Sequence, residues 1–268
     1  MTFRSLALIC LIILAAAAVG GKYAGSVVQP AQAGWFGGGS KSLMVFAGTA
    51  GQPALEVAAA AYQKKTGVKV EISFAGSGTL LTQITQEHIG DLYIPGSDDY
   101  AAKAIKKGAI DPGSVKVLAY LVPAILVAKG NPKHVTGLSS LAKPGLRVVI
   151  AQKGVACLGD VSEDILAKAG LTAKVHKNVV SYATTCEETL NTLLMGEADA
   201  VIAWDVYARQ HPKQAQLVPI DKKYVRARYI PGAVITWSKN KSAAAAFLAY
   251  LTGPSGRYIF KSKGYSVR

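Results

Sequence analysis

From Leu43 onward, short runs of apolar and β-branched residues alternate with longer stretches in which apolar residues return at the helical period. That alternation restricts the chain to strand–helix units around a mostly parallel sheet, an α/β fold. Residues 43–46 read as a strand. Pro53 marks a helix start, and residues 54–65 carry Leu55, Ala58, Ala59 and Tyr62 on one face before Gly67 ends the helix. Residues 68–74 read as a strand, 78–87 as a helix, 91–94 as a short buried strand and 98–107 as a helix closed by Gly108. After the apolar stretch 117–128 comes a second set: strand 147–151, helices 161–169 and 186–195, strand 198–204 and helix 205–211. Pro112, Pro123, Pro132, Pro144, Pro212, Pro219 and Pro231 fall between these elements, where a missing N–H is tolerated. Two lobes are expected, with no internal repeat.

The N-terminal segment has a different character. Arg4 followed by the apolar run 6–19 has the form of a secretory signal, and Ala31-Gln32-Ala33 before Gly34 satisfies the small-residue rule for cleavage. Residues 1–33 are therefore expected to be a signal peptide and 34–42 a flexible leader, which places the protein in the periplasm. An uncleaved membrane tether is the competing expectation, because residues 5–21 approach the length needed to span a bilayer. Cys10 has Ile9 rather than a small residue before it, which argues against lipid modification. Cleavage removes Arg4 and Lys22 and no acidic residue, so the formal charge falls from +14 to +12. A basic chain attracts anions at long range. Its Lys and Arg are spread out, without a basic run or interleaved aromatic platform, so nucleic acid is not an expected partner.

Two cysteines, Cys157 and Cys186, follow the leader, and a thiol pair in an exported protein is expected to form a disulfide. Metal ligation is the second reading, but His88, His134, His176 and His211 show no metal-ligand spacing, so no metal site is assigned.

Three turns rich in Gly, Ser and Thr each join a strand end to a helix start: residues 47–52 (AGTAGQ), 75–79 (AGSGT) and 95–98 (PGSD). In α/β sheets ligands sit beyond the carboxyl ends of strands, where helix starts present unpaired N–H groups and a positive dipole end. An anion fits there, with hydroxyl donors from Thr49 and Ser77. The alternative is that both residues are ordinary caps or turn formers. No nucleophile elbow, zinc-protease helix or phosphate-binding loop is present, so neither catalysis nor a cofactor is expected. The acidic pairs Asp98-Asp99 and Glu187-Glu188 point to different helix faces and suit helix first turns.

Residues 45–84 (VFAGTAGQPALEVAAAAYQKKTGVKVEISFAGSGTLLTQI), 90–111 (GDLYIPGSDDYAAKAIKKGAID) and 196–208 (GEADAVIAWDVYA) resemble the periplasmic molybdate- and tungstate-binding proteins. The resemblance implies the bilobed type II architecture: two α/β lobes joined by two crossing strands near residues 121–128 and 229–237, with a ligand cleft between them. Lobe I would comprise residues 43–122 and 233–268, and lobe II residues 123–232. It further implies an extracytoplasmic binding protein, monomeric, that delivers a small oxyanion to the membrane permease of an ABC importer. Carried over position by position, first-lobe donors fall at Thr49, or at Ala50 with a one-residue shift, and at Ser77. Second-lobe backbone donors fall at Cys157, Leu158 and Cys186. The family's tyrosine donor falls at Trp204, which offers an indole N–H instead. A Cys157–Cys186 disulfide would pin these loops. The alternative function is capture of another ligand on the same scaffold, an organic phosphate, a carboxylate or a metal ion. That ion would be bound through the cysteine pair, or with Tyr93, Tyr100, Asp98 and Asp99.

Overall fold

The computed structural model describes residues 42–268, so the expected signal peptide, cleavage site and tether lie outside the described residues. The first half of the chain runs β1 (Ser42–Gly48), α1 (Gln52–Thr66), β2 (Lys69–Ala75), α2 (Ser77–Glu87), β3 (Leu92–Ile94), α3 (Asp98–Lys106), β4 (Lys116–Leu121) and β5 (Pro123–Ala128). It continues through β6 (Val148–Ala151), α4 (Cys157–Lys168), α5 (Thr172–His176), β7 (Val179–Ala183), α6 (Cys186–Leu194), β8 (Ala200–Trp204) and α7 (Asp205–Gln210). The last elements are β9 (Ala215–Val218), β10 (Arg228–Val234), α8 (Lys241–Thr252) and α9 (Pro254–Ser262).

The strands form two five-stranded sheets, ordered β2-β1-β3-β10-β4 and β7-β6-β8-β5-β9. Both have the same plan. In the first, β1 pairs in parallel with β2 and β3, while β10 is antiparallel to β3 and β4. In the second, β6 pairs in parallel with β7 and β8, while β5 is antiparallel to β8 and β9. Each antiparallel intruder is a strand that arrives from the other sheet: the chain crosses once at Val122, between β4 and β5, and returns between β9 and β10. The sheets are therefore mixed where the sequence pattern implied mostly parallel ones.

Burial follows that plan. The central strands β6 (VVIA) and β8 (AVIAW) are buried at every residue, as strands covered on both faces must be. Edge strand β2 alternates exposed and half-buried residues. α1 starts with Pro53 in its first turn and stops at Gly67, whose φ of 75° lies in the left-handed region open to glycine. α4 begins at Cys157, a full turn earlier than the apolar period indicates, because its first residues belong to the turn that faces the other lobe. Among the described residues no helix is long and apolar enough to cross a membrane.

Side chains hold both crossings. The Val122 N–H donates to Asp205 Oδ1 at 2.8 Å, and the Asp205 N–H donates back to the Val122 carbonyl at 2.9 Å. On the return path Arg226 donates to Asp98 at 2.8 Å, and the buried Arg228 donates to Asp99 at 2.7 Å. The acidic pair at the start of α3 thus ties the returning strand to lobe I.

Candidate ligand-binding site

The carboxyl ends of β1, β2 and β3 and those of β6, β7 and β8 face one another across the gap between the sheets. β1 ends at Gly48 and passes through a single 3-10 turn, Thr49–Gly51, into α1. β2 ends at Ala75, extended Gly76 follows, and Ser77 opens α2. No side chain caps the start of α1, α2 or α4, so their first N–H groups lack the usual serine, threonine or aspartate partner. α6 is the exception: Thr185 Oγ1 accepts from the Glu188 N–H, and the Glu188 carboxylate reaches back to the Thr184 N–H. The Glu188 carboxylate thus belongs to the capping of α6.

The lobes touch through glycine. The Gly78 N–H donates to the Val155 carbonyl at 2.7 Å. A Cβ on Gly78 would fall 2.0 Å from the Gly154 carbonyl oxygen, and one on Gly76 would fall 2.5 Å and 2.6 Å from those of Val155 and Thr184. Two further bridges span the gap. Thr49 Oγ1 accepts from the Glu187 N–H at 3.2 Å, and Asp160 on α4 accepts from Tyr100 at 2.6 Å and Lys103 at 3.1 Å, both on α3. Burial first, and then the bond to Asp160, push the Tyr100 phenol well above its usual range.

Thr49, Ala50 and Ser77 lie on one wall of the cleft and Cys157, Leu158, Cys186 and Trp204 on the other, none more than 7% exposed. Ser77 does not cap its helix. Its Oγ accepts from the Gly96 N–H at 3.1 Å, and its carbonyl accepts from the buried Tyr93 hydroxyl at 2.7 Å. Ala50 contributes only backbone, its carbonyl accepting from Tyr265 at 2.7 Å.

Cys157 and Cys186 open α4 and α6 side by side, and the expected disulfide is not formed. Both thiols are free, with Sγ atoms 3.6 Å apart, whereas an S–S bond is about 2.05 Å long. The two helix starts approach closely enough for a thiol–thiol hydrogen bond and no closer. Cys157 is pushed well up, by its bond to Cys186 and then by burial. Cys186 is pulled down, first by its bond to Cys157, with the Leu158 and Cys186 N–H groups adding to the effect against burial. The two buried sulfurs thus share one hydrogen bond at the meeting of the α4 and α6 starts.

The groups that kept a metal reading open are committed elsewhere, Asp98 and Asp99 to Arg226 and Arg228, Tyr93 to Ser77 and Tyr100 to Asp160. Among the described residues no three His, Cys, Asp or Glu side chains stand together as metal ligands.

Reasoning from the sequence missed Tyr207. Its hydroxyl and the Trp204 indole N–H are buried without a hydrogen-bond partner. They lie three residues apart at the β8–α7 junction, beside the cysteine pair. An unpaired buried polar group costs roughly 1–3 kcal/mol, so two at one cleft mark a place where a partner belongs. The i, i+3 spacing at a helix start was the available signal.

Comparison with known proteins agrees with this geometry. The ModA molybdate-binding protein of Mycobacterium tuberculosis is 28% identical over 229 residues, 85% of this chain and 85% of the relative. The L-phospholactate-bound structure of PEB3, a Campylobacter jejuni protein, superposes with a TM-score of 0.67 at 25% identity, covering 84% of this chain and all of that one. The periplasmic molybdate-binding protein of Azotobacter vinelandii shares the fold at a TM-score of 0.70 and 22% identity, covering 84% and 99%. A family model described as bacterial extracellular solute-binding protein matches residues 43–266. With two mixed α/β lobes meeting over a cleft ringed by helix starts, the chain belongs to the bacterial extracellular solute-binding proteins of the bilobed type II class.

Proposed function

We propose that the protein captures a small tetrahedral oxyanion, molybdate or tungstate foremost, in the cleft between its lobes and delivers it as a monomer to the permease of an ABC importer. The observation that carries this reading is the convergence of the starts of α2 and α4, neither capped by a side chain, on one buried cleft. Such ends offer N–H donors and a positive dipole end without a charged side chain. Ser77 and Thr49 hydroxyls add to them from lobe I, and the Trp204 and Tyr207 donors from lobe II.

Recognition follows from matching. An anion of the wrong size or protonation state leaves buried donors unpaired, at roughly 1–3 kcal/mol each, so neutral groups discriminate among anions. Ligand that touches both walls favours the closed form in proportion to those contacts. The moving bodies are residues 43–122 with 233–268, and 123–232, with Val122 and the first residues of β10 as hinges. Binding without reaction is the reading that membership of the solute-binding family supports. Residues 1–33 serve as the export signal, which N-terminal sequencing of the secreted protein checks. The relatives' names point to anions of more than one size, molybdate for ModA and L-phospholactate for PEB3, and an organic phosphate is accordingly the second reading.

The test is isothermal calorimetry of the ligand-stripped protein with molybdate, tungstate, sulfate, phosphate and phospholactate, repeated on Ser77→Ala. Tight one-to-one binding of one tetrahedral oxyanion, weakened about tenfold by the substitution, supports the proposal. Absence of heat with every anion, from protein shown to be folded and empty, rejects it.

A further inference from the structure

We propose that the Cys157–Cys186 dithiol is a covalent binding site for a trivalent thiophilic oxyacid of the arsenite type. The inference rests on the cleft being the ligand site, as argued above, but not on molybdate being the ligand. The two sulfurs are buried at the starts of α4 and α6, on the lobe II wall of that cleft. Cys157 Sγ lies so close over the third turn of lobe I that a Cβ on Gly96 would fall 2.7 Å from it. Cys186 Sγ is approached by the Leu158 and Cys186 N–H groups. The position that an anion-binding cleft surrounds with donors is thus held by sulfur.

The gap between the sulfurs selects the chemistry. An atom bonded to both at about 2.3 Å, the usual metal–thiolate length, would subtend an S–X–S angle of roughly 100° across the gap. A linear two-coordinate cation needs sulfurs about twice that bond length apart, and the observed 3.6 Å is too short. A tetrahedral cation needs two further ligands, and no third metal-binding side chain joins the pair among the described residues. A pyramidal trivalent centre fits, because it needs only two sulfurs and one oxygen.

The reaction balances without an oxidant. Each thiol displaces one hydroxyl of As(OH)3: two S–H and two As–OH bonds break, two As–S bonds form, two waters leave, and arsenic remains trivalent. The remaining hydroxyl then meets the Trp204 indole N–H and the Tyr207 hydroxyl, the two buried groups that lack partners.

The experiment loads the exported protein, reduced with a phosphine, with arsenite, and measures arsenic retained after desalting and its absorption edge. The same preparation is titrated with molybdate. The expected result is one arsenic per chain with two sulfur neighbours and one oxygen. Cys157→Ser and Cys186→Ser should each weaken retention at least about 100-fold, the loss expected when one arm of a chelate is cut. If either variant fails to fold, the edge spectrum of the unsubstituted protein decides. No retained arsenic, oxygen-only neighbours, or a Cys157–Cys186 disulfide that resists the phosphine would each overturn the proposal. Molybdate binding without arsenite binding sinks this inference alone, whereas binding of neither sinks the cleft reading with it.

Discussion

Replacing Gly78 by alanine should disable lobe closure while sparing the fold. Gly78 is the second residue of α2, a first-turn position that alanine occupies without helix strain, so the lobe itself should not lose stability. The added Cβ would fall 2.0 Å from the Gly154 carbonyl oxygen and 3.0 Å from that of Val155. Both neighbours are backbone, so no rotamer change relieves the overlap, and the walls must move apart by about 1 Å or more. That movement stretches the Gly78 N–H bond to Val155, now 2.7 Å, beyond useful length. A lost hydrogen bond of about 0.5–1.5 kcal/mol and an overpacking cost of about 1–3 kcal/mol fall on the closed form alone. Ligand affinity should therefore drop by roughly 10- to 1,000-fold at 25 °C with the melting temperature unchanged or raised. Calorimetry with molybdate reports the affinity, and small-angle scattering with and without ligand reports compaction. A variant that binds like the parent and compacts to the same radius would refute the argument that these glycines set the closed geometry.

Three further outcomes follow from the site. Asp160→Asn removes the carboxylate that accepts from Tyr100 and Lys103 across the cleft; because Lys103 is largely solvated, the loss should be only about 1 kcal/mol of closure, read as a fivefold weaker affinity. Tyr207→Phe deletes a buried hydroxyl without a partner, so thermal stability should rise by up to about 1 kcal/mol while affinity falls; a fall in both would show that the hydroxyl is already paired in the empty protein. Arg147 beside Asp199 holds that carboxyl below the usual range, so its contribution is present above the ordinary aspartate pKa and is lost as pH falls through the folded value. Asp199→Asn should flatten the acid side of the stability profile by at most about 1 kcal/mol, since Arg147 is half-exposed; an unchanged profile contradicts the assignment.

Much of the fold was legible because strand and helix periods are local. The runs behind β1, β2, β6 and β8 announce buried strands, and Pro53 with Gly67 bounds α1 from the sequence alone. Shorter or less periodic pieces, α5 and β9, carry too few residues for a period to register. Thr49 and Ser77 could be picked out because a hydroxyl in a strand-to-helix turn is a local pattern. Cys157, Leu158, Cys186 and Trp204 came only through family resemblance, since they approach lobe I across the fold. The same distance hid the roles of Gly76 and Gly78: a close approach to Val155 and Thr184 is a property of packing, not of their neighbours in sequence. The disulfide expectation failed for a related reason, because composition and compartment say that two thiols exist but not how closely two helix starts bring them.

The most direct test of the cleft as an oxyanion site is a crystal structure of the protein grown with molybdate, with the molybdenum located by its anomalous scattering. The account predicts one peak between the starts of α2 and α4, within hydrogen-bond reach of Ser77 and Trp204. A peak elsewhere, or none in crystals of a protein that binds molybdate in solution, would contradict it.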